Sequence, residues 1–274
     1  GLQGVNSDME NEKILEAEKE AQEEIKEEII QEAEQEVKVE EEMFLECEKR
    51  WVFALLMLVA GFFGGFTYSI RGGVFCNAQT ANVVLMSLAI GNGNWSQALY
   101  YLVPMSAYLL GTIISESEAF YIKKLHLIRW DTLFVIIDIL AVIFLAFLPE
   151  TAPVQITQVT INFVCAMQFN TFRQAQGIPM ATTFCTNHVR QVGIALSKLM
   201  RHHGGAAYAE RLRVHTFMLG MFSAGVICAT LLSKVFLGKS ILFALLPLSV
   251  ILADLLHADL VKERGNFERK PRGH

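Results

Sequence analysis

The chain has 274 residues, of which 53% are hydrophobic, and its mean hydropathy is +0.36. Its apolar residues form long uncharged blocks rather than the short periods of a soluble core, which argues against a soluble globular domain and indicates an integral membrane protein. The net charge of −5 is uneven, because residues 8–48 hold 18 acidic and four basic side chains whereas the remainder of the chain is basic.

The beginning of the chain predicts an acidic leader. Residues 1–7 lack an initiator Met and are interpreted as a remnant of expression. Residues 8–48 are rich in Glu, Lys and Ala without Gly or Pro, which predicts a long cytoplasmic helix. Its apolar residues recur every four positions and wind around the helix, so a long coiled coil is not expected. Two interpretations stay open: a solvated helix, or one that binds a partner or another copy of the chain.

Six apolar segments of 17 to 20 residues predict membrane-spanning helices within a membrane domain at 49–262, because the hydrocarbon core is about 30 Å thick. They are residues 51–70, 98–115, 132–148, 154–172, 214–233 and 240–257. Two further segments, 74–90 and 179–199, are apolar but interrupted by polar residues, and they would be either full spans or re-entrant half-helices. Residues 263–274 form a basic cytoplasmic tail.

The positions of Lys and Arg decide between eight spans and six. With six spans and a cytoplasmic N-terminus, 16 of the 19 basic residues that follow residue 48 lie on the cytoplasmic side. With eight spans, seven of the 19 lie on the opposite side. The sequence therefore predicts six spans, two re-entrant half-helices and two cytoplasmic termini.

The membrane domain contains a weak internal repeat. A shift of 106 residues aligns the stretch that begins at Ala60 with the stretch that begins at Ala166, and it pairs Asn82 with His188. The two repeats, about 51–148 and about 154–258, each hold three predicted spans, so the second would be inverted relative to the first. Inverted repeats with interrupted helices are typical of transporters and channels, whose binding site lies at the midplane.

The two interrupted segments predict a binding site. Gly72 and Gly73 permit a reversal before the first half-helix, and Gly177 and Pro179 break the chain before the second. Two positive helix N-termini would meet near the midplane without a carboxylate between them, which favours an anion or a dipolar neutral solute. The candidate binding residues are Asn77, Gln79, Thr80, Asn82, Thr183, Thr186, Asn187, His188 and Arg190.

The stretches "GGVFCNAQTANVVLMSLAIGNG" and "QFNTFRQAQGIPMATTFCTNHV" resemble the YoaK family, which is defined as a domain of unknown function. The resemblance covers Trp51 to about Asp259, and it departs from the family pattern at Ala81 and Asn187, where Gly is expected. It implies a multi-pass protein of the bacterial inner (cytoplasmic) membrane and no established substrate.

Two aspartates within apolar segments are also candidates, because an ionisable group inside a membrane is costly. Asp254 fits the cytoplasmic interface better than the membrane interior, whereas for Asp138 a structural and a functional role both stay open. His188 is interpreted as a hydrogen-bonded packing residue more readily than as a ligand. The five cysteines show no CxxC pair and are expected to be reduced.

The sequence predicts a membrane protein without a catalytic site. It contains no GxSxG, HExxH, P-loop or GxGxxG motif, and no metal or other cofactor is expected. The preferred hypothesis is a channel or secondary transporter for a small anionic or polar solute. The alternatives are a scaffold or sensor that recruits a partner through the acidic leader, and a lipid-handling membrane enzyme. The expected partners are the lipid bilayer, a small solute and further copies of the chain, but no nucleic acid.

Overall fold

The computed structural model of the protein describes residues 44–122, 127–201, 205–265, 267 and 269–273, without the side chains of 118–120 and 122. The chain divides into two units, residues 1–45 and 46–274. Residues 1–7 and nearly all of the predicted acidic helix at 8–48 therefore lie outside the described residues. The second unit is described below.

The regular secondary structure in the described residues of this unit is helical apart from one short hairpin. Its helices are α1 (Arg50–Ile70), α2 (Gln79–Gly91), α3 (Trp95–Ile122), α4 (Trp130–Ala146), α5 (Val154–Thr171), α6 (Thr186–Met200), α7 (Ala206–Phe236) and α8 (Leu245–His257). The strands β1 (Gln174–Ala175) and β2 (Ile178–Pro179) pair antiparallel between α5 and α6. A 3₁₀ turn at Glu46–Glu48 precedes α1, a 3₁₀ segment at Leu237–Ala244 joins α7 to α8, and a π-helical turn at Ala258–Lys262 extends α8.

Three segments within the described part of the chain are long and apolar enough to cross a membrane. They are Arg50–Ile70, Trp95–Ser117 and the continuous run Ala206–Lys262, which contains both α7 and α8. The remaining predicted spans, at 132–148 and 154–172, also fold as helices, but α4 has only 17 residues. α5 has 18 residues and buries three amide side chains that lower its hydropathy: Gln158, Asn162 and Gln168.

Two pairs of helices pack closely and parallel to each other. α1 and α7 approach through Gly225, where an added Cβ would lie 2.1 Å from the Leu58 carbonyl oxygen. α3 and α5 approach in the same way through Gly111, where a Cβ would lie 2.5 Å from the Phe163 carbonyl oxygen. Small residues at membrane helix contacts let two backbones come together and gain dispersion energy. Glycines such as these therefore set the close spacing within each of the two helix pairs.

Ion pairs lie at both ends of the bundle. At the end where α1 begins, Arg50 pairs with Glu210, and Arg129 lies 3.8 Å from Glu263. At the opposite end, Arg71 donates to Glu150 at 3.0 Å, and the Gly238 N–H donates to the same carboxylate at 2.7 Å. Burial acts to raise the pKa of Glu150, but these two donors outweigh it and hold the pKa below its ordinary value. The ion pairs named here each join residues that the six-span prediction assigns to one side of the membrane.

Candidate functional site

The first interrupted segment runs back into the bundle after α1. Gly72 and Gly73, with φ of 86° and 69°, reverse the chain where residues with a Cβ would be strained. The Asn77 Nδ2 then donates to the Ala60 carbonyl at 3.1 Å, beside the middle of α1. The segment that leads into α2 therefore lies beside the middle of α1.

The second interrupted segment enters after α5. The hairpin of β1 and β2 turns at Gln176 and Gly177, with φ of 45° and 78°, and residues 180–185 lead into α6. Gln168 ties this segment to the first helix, because its Nε2 donates to the carbonyl of Thr182 at 3.1 Å and to that of Leu56 at 3.2 Å. One buried amide on α5 thus satisfies backbone of both α1 and the second break.

Each interrupted segment contains a hydrogen bond of its own, and the two bonds lie at equivalent positions of the repeat. The Asn82 Nδ2 donates to the Phe75 carbonyl at 2.7 Å, and His188 Nε2 lies 2.7 Å from the Ala181 carbonyl. Asn82 and His188 are both fully buried. Each side chain bonds the carbonyl seven residues earlier, so the 106-residue shift superimposes one contact on the other. Asn82 and His188, aligned from sequence, therefore serve the same structural purpose.

Side chains from both segments approach each other between the helices. The thiols of Cys76, from the first segment, and Cys165, on α5, are hydrogen-bonded neighbours. Tyr108, midway along α3, has both thiols and Thr183 of the second segment as neighbours. Asp138, midway along α4, lies within electrostatic range of Cys165. We call Cys76, Tyr108, Asp138, Cys165, Thr182 and Thr183 the central cluster.

Several polar atoms of the central cluster lack hydrogen bonds. Asp138, Thr182 and Thr183 are fully buried, and among the described residues neither Asp138 oxygen nor the Thr182 hydroxyl has a hydrogen-bond partner. The Thr183 hydroxyl lies beside Tyr108 as its hydrogen-bonding neighbour. Leaving a buried polar group unpaired costs about 1–3 kcal/mol, and more for a carboxylate. Groups held at such a cost inside a membrane bundle indicate a function rather than a contribution to stability.

A cavity and a histidine pair lie beside the second segment. The cavity has a volume of about 440 Å³ and is bounded by the end of α5 and by residues 179–187, including Phe169, Asn170, Arg173, Ala181 and Asn187. On its inner side, the Nδ1 atoms of His188 and His215 are 2.9 Å apart, and both rings are buried. The cavity thus extends from the end of α5 to the segment that holds His188.

The structure separates the predicted binding residues into two groups. Asn77, Asn82, Thr183 and His188 are buried, and Gln79 donates to Asn162 at 2.8 Å. Thr80, Thr186 and Arg190 are exposed, and Asn187 is half-buried at the cavity. Residues two apart on an α-helix point about 200° away from each other, so a helix that buries Asn82 turns Thr80 outward. The same geometry separates His188 from Thr186 and from Arg190.

The two predicted aspartates have different surroundings. Asp254 is half-buried and lies near Glu46 and Lys262 at the end where α1 begins. Asp138 belongs to the central cluster, which corrects the expectation that no carboxylate lies near the two half-helix N-termini. The span predicted at 132–148 places Asp138 nearer to one end of its helix, whereas α4 begins at Trp130 and centres on Asp138.

Sequence reasoning missed four members of the central cluster: Cys76, Tyr108, Cys165 and Thr182. Tyr108 and Cys165 have no local signal, because a tyrosine or cysteine in an apolar helix is most often a packing residue. The polar residues Gln158, Asn162 and Gln168 within a predicted span were a readable signal that α5 borders the site. In the described part of the chain, no three His, Cys, Asp or Glu side chains are grouped to hold a metal ion.

Comparison with known proteins identifies one family. Residues 52–253 match the family model described as "Protein of unknown function (DUF1275)". No curated protein and no solved structure matches the chain. The matched range includes both interrupted segments and the whole central cluster.

Proposed function

The chain belongs to this DUF1275 family, whose description assigns no activity, and on that premise we propose that it binds and transports a small polar solute at the central cluster. The observation that carries the proposal is the meeting of two interrupted membrane segments around the unpaired Asp138 and Thr182, beside Tyr108 and Thr183. Non-helical backbone at membrane depth is tolerated where it is buried in protein or lines a cavity, which is where transporters hold their substrates.

The directions of the helices support six spans with both ends of the unit on one side. α1 and α7 run parallel, since Arg50 pairs with Glu210 near their starts and Gly65 approaches Val226 further along. α3 and α5 also run parallel, because Tyr100 contacts Gln158 at one end and Ser115 contacts Thr171 at the other. α5 runs antiparallel to α1, because Gln158 near its start donates to the Arg71 carbonyl at the end of α1, and Gln168 further along donates to the Leu56 carbonyl. Six alternating spans require all three relationships, whereas eight alternating spans would make α1 and α5 parallel.

The packing of the helices supports the inverted repeat. Under the 106-residue shift, helices α1 to α4 correspond in order to helices α5 to α8. The α1–α7 pair therefore corresponds to the α5–α3 pair, and the α2–α3 pair corresponds to the α6–α7 pair. All four pairs are in contact. Each half also has a close approach at a glycine, Gly111 on α3 and Gly225 on α7, although these two glycines are 114 residues apart rather than 106. A repeat that preserves the helix pairs is what inverted transporter repeats display.

The central cluster favours a neutral polar solute over an anion. Its hydroxyls, thiols and single carboxyl offer hydrogen bonds, and Asp138 would repel an anion whenever it is ionised. Because Asp138 is buried without a cationic partner, it is the group that would carry a proton or accept a hydrogen bond from the solute. We further propose, with the YoaK resemblance, the cytoplasmic membrane of a bacterium as its location, with lipid or further copies of the chain on the apolar outer surface.

Flux into sealed proteoliposomes tests this function, with labelled polyols, urea, amino acids and small anions as separate solutes. We expect uptake of at least one neutral polar solute, and a reduction of about tenfold or more in the Asp138→Asn and Tyr108→Phe variants, which keep the shape of each side chain. Thr80→Val is the matched control, because Thr80 is exposed on α2 and should leave uptake unchanged. Each variant should elute as folded protein before its flux is compared.

The outcomes distinguish the hypotheses. Uptake that Asp138→Asn and Tyr108→Phe leave intact would place the pathway elsewhere and refute the central cluster. No flux of any solute, together with retention of a cytoplasmic partner on residues 8–48, would favour the scaffold or sensor instead.

A further inference from the structure

The buried pair of His188 on α6 and His215 on α7 has a hydrogen-bonding pattern that assigns its tautomers. His188 Nε2 lies 2.7 Å from the Ala181 carbonyl, which can only accept, so this nitrogen carries a hydrogen. A neutral imidazole has one N–H, so His188 Nδ1 is an acceptor. The two Nδ1 atoms are 2.9 Å apart, and His215 Nδ1 must therefore donate. The lone pair of His215 Nε2 remains as the basic site of the pair.

This pattern accommodates one additional proton. A proton on His215 Nε2 forms an imidazolium whose Nδ1–H still points at His188 Nδ1, and the bond between the rings becomes charge-assisted and stronger. A second proton would have to bind His188 Nδ1, which would place two N–H donors and two positive charges face to face at 2.9 Å. We infer that the His188–His215 pair is a binding site for a single proton, shared between α6 and α7.

The surroundings of the pair include a cavity and several charged groups. Ala181, whose carbonyl bonds His188, and Asn187, the residue before His188, both line the 440 Å³ cavity. Arg211, one turn before His215 on α7, is the charged side chain whose field acts on the His215 ring. Of the other ionisable groups nearby, Glu210 is paired with Arg50 and Arg213, Arg190 is exposed on α6, and Cys185 precedes α6.

The first half of the chain shows that the architecture does not need this proton site. Asn82 makes the same bond to the carbonyl seven residues earlier as His188 does, but an amide does not titrate. Of these two equivalent positions, only the one in the second half can bind a proton, and His188→Asn places at position 188 the amide that the chain already uses at position 82. The proton site does not depend on the proposed transport, because it requires only the folded bundle.

Solid-state ¹⁵N NMR of histidine-labelled protein in lipid tests the inference, titrated from about pH 8 down to about pH 3 because burial disfavours the imidazolium form. We expect one neutral pair whose bridging Nδ1 signals change together as a single proton is taken up. His188→Asn should abolish this shared signal, and His215→Gln should abolish it as well, so one folded variant suffices. His257→Asn, at an exposed position, should leave it unchanged.

The result that overturns the inference is equally specific. It would be overturned by two separate protonation steps, by rings that stay neutral throughout the titration, or by a shared signal that survives both substitutions. Because this readout involves no solute, its failure would leave the flux test of the central cluster untouched, and the reverse also holds.

Discussion

Gly225 offers the sharpest test of how the bundle is assembled. A Cβ added there would lie 2.1 Å from the Leu58 carbonyl oxygen and 2.7 Å from the Phe62 backbone nitrogen, whereas ordinary contacts are 3.4–4 Å. Gly225→Ala therefore requires α1 and α7 to separate by more than about 1 Å. Overpacking of this kind costs about 1–3 kcal/mol, and a clash with rigid backbone belongs at the upper end. The better helix propensity of Ala returns about 1 kcal/mol, which leaves a net loss of about 2 kcal/mol.

Thermal unfolding of detergent-purified protein, monitored by size exclusion after heating, measures this loss. A destabilisation of about 2 kcal/mol lowers Tm by roughly 4–8 °C in a protein of this size. The matched control is Gly220→Ala on the same helix, where an added Cβ meets nothing within 4 Å and Tm should stay equal or rise. If both variants shift Tm by the same amount, α1 and α7 do not pack as described.

Further predictions concern topology, the first half-helix and the outer ion pair. In a background without reactive native cysteines, a cysteine at Asn94 should react with an impermeant reagent added outside, and one at Leu127 should not; the reverse pattern would refute the six-span topology. Asn82→Ala should lower the free energy of unfolding by about 1–3 kcal/mol, because it removes the donor to the Phe75 carbonyl. Thr80→Val, at an exposed position, should be nearly neutral in the same chemical denaturation experiment, and equal losses would contradict the assigned faces of α2. Since the folded pKa of Glu150 is lowered, its pairing stabilises the protein above about pH 4.3 and is lost as pH falls through that lower folded pKa. Tm measured against pH should show a smaller acid loss in Glu150→Gln, and an unchanged profile would contradict the pairing with Arg71.

The sequence by itself determined the helices and the places where they are interrupted. Apolar blocks near the thickness of a bilayer predicted helices that the structure contains at all six ranges, and the glycines at 72, 73 and 177 marked chain reversals that have positive φ. These features are local, because backbone conformation depends on a residue and its near neighbours. The pairing of Asn82 with His188 was also readable, since an internal repeat is a property of the sequence alone.

Only the tertiary structure decided which polar residues share a site. No pattern in the sequence connects Tyr108, Asp138 and Cys165, which come from three helices and meet through packing. Thr80 and Asn82 were both predicted to line the binding site, although the rotation of α2 buries Asn82 and exposes Thr80. Likewise, His215 became half of a proton site only because α7 lies against α6. Which face of an apolar helix turns inward depends on neighbours distant in sequence, and in a membrane both faces are apolar enough to hide the choice.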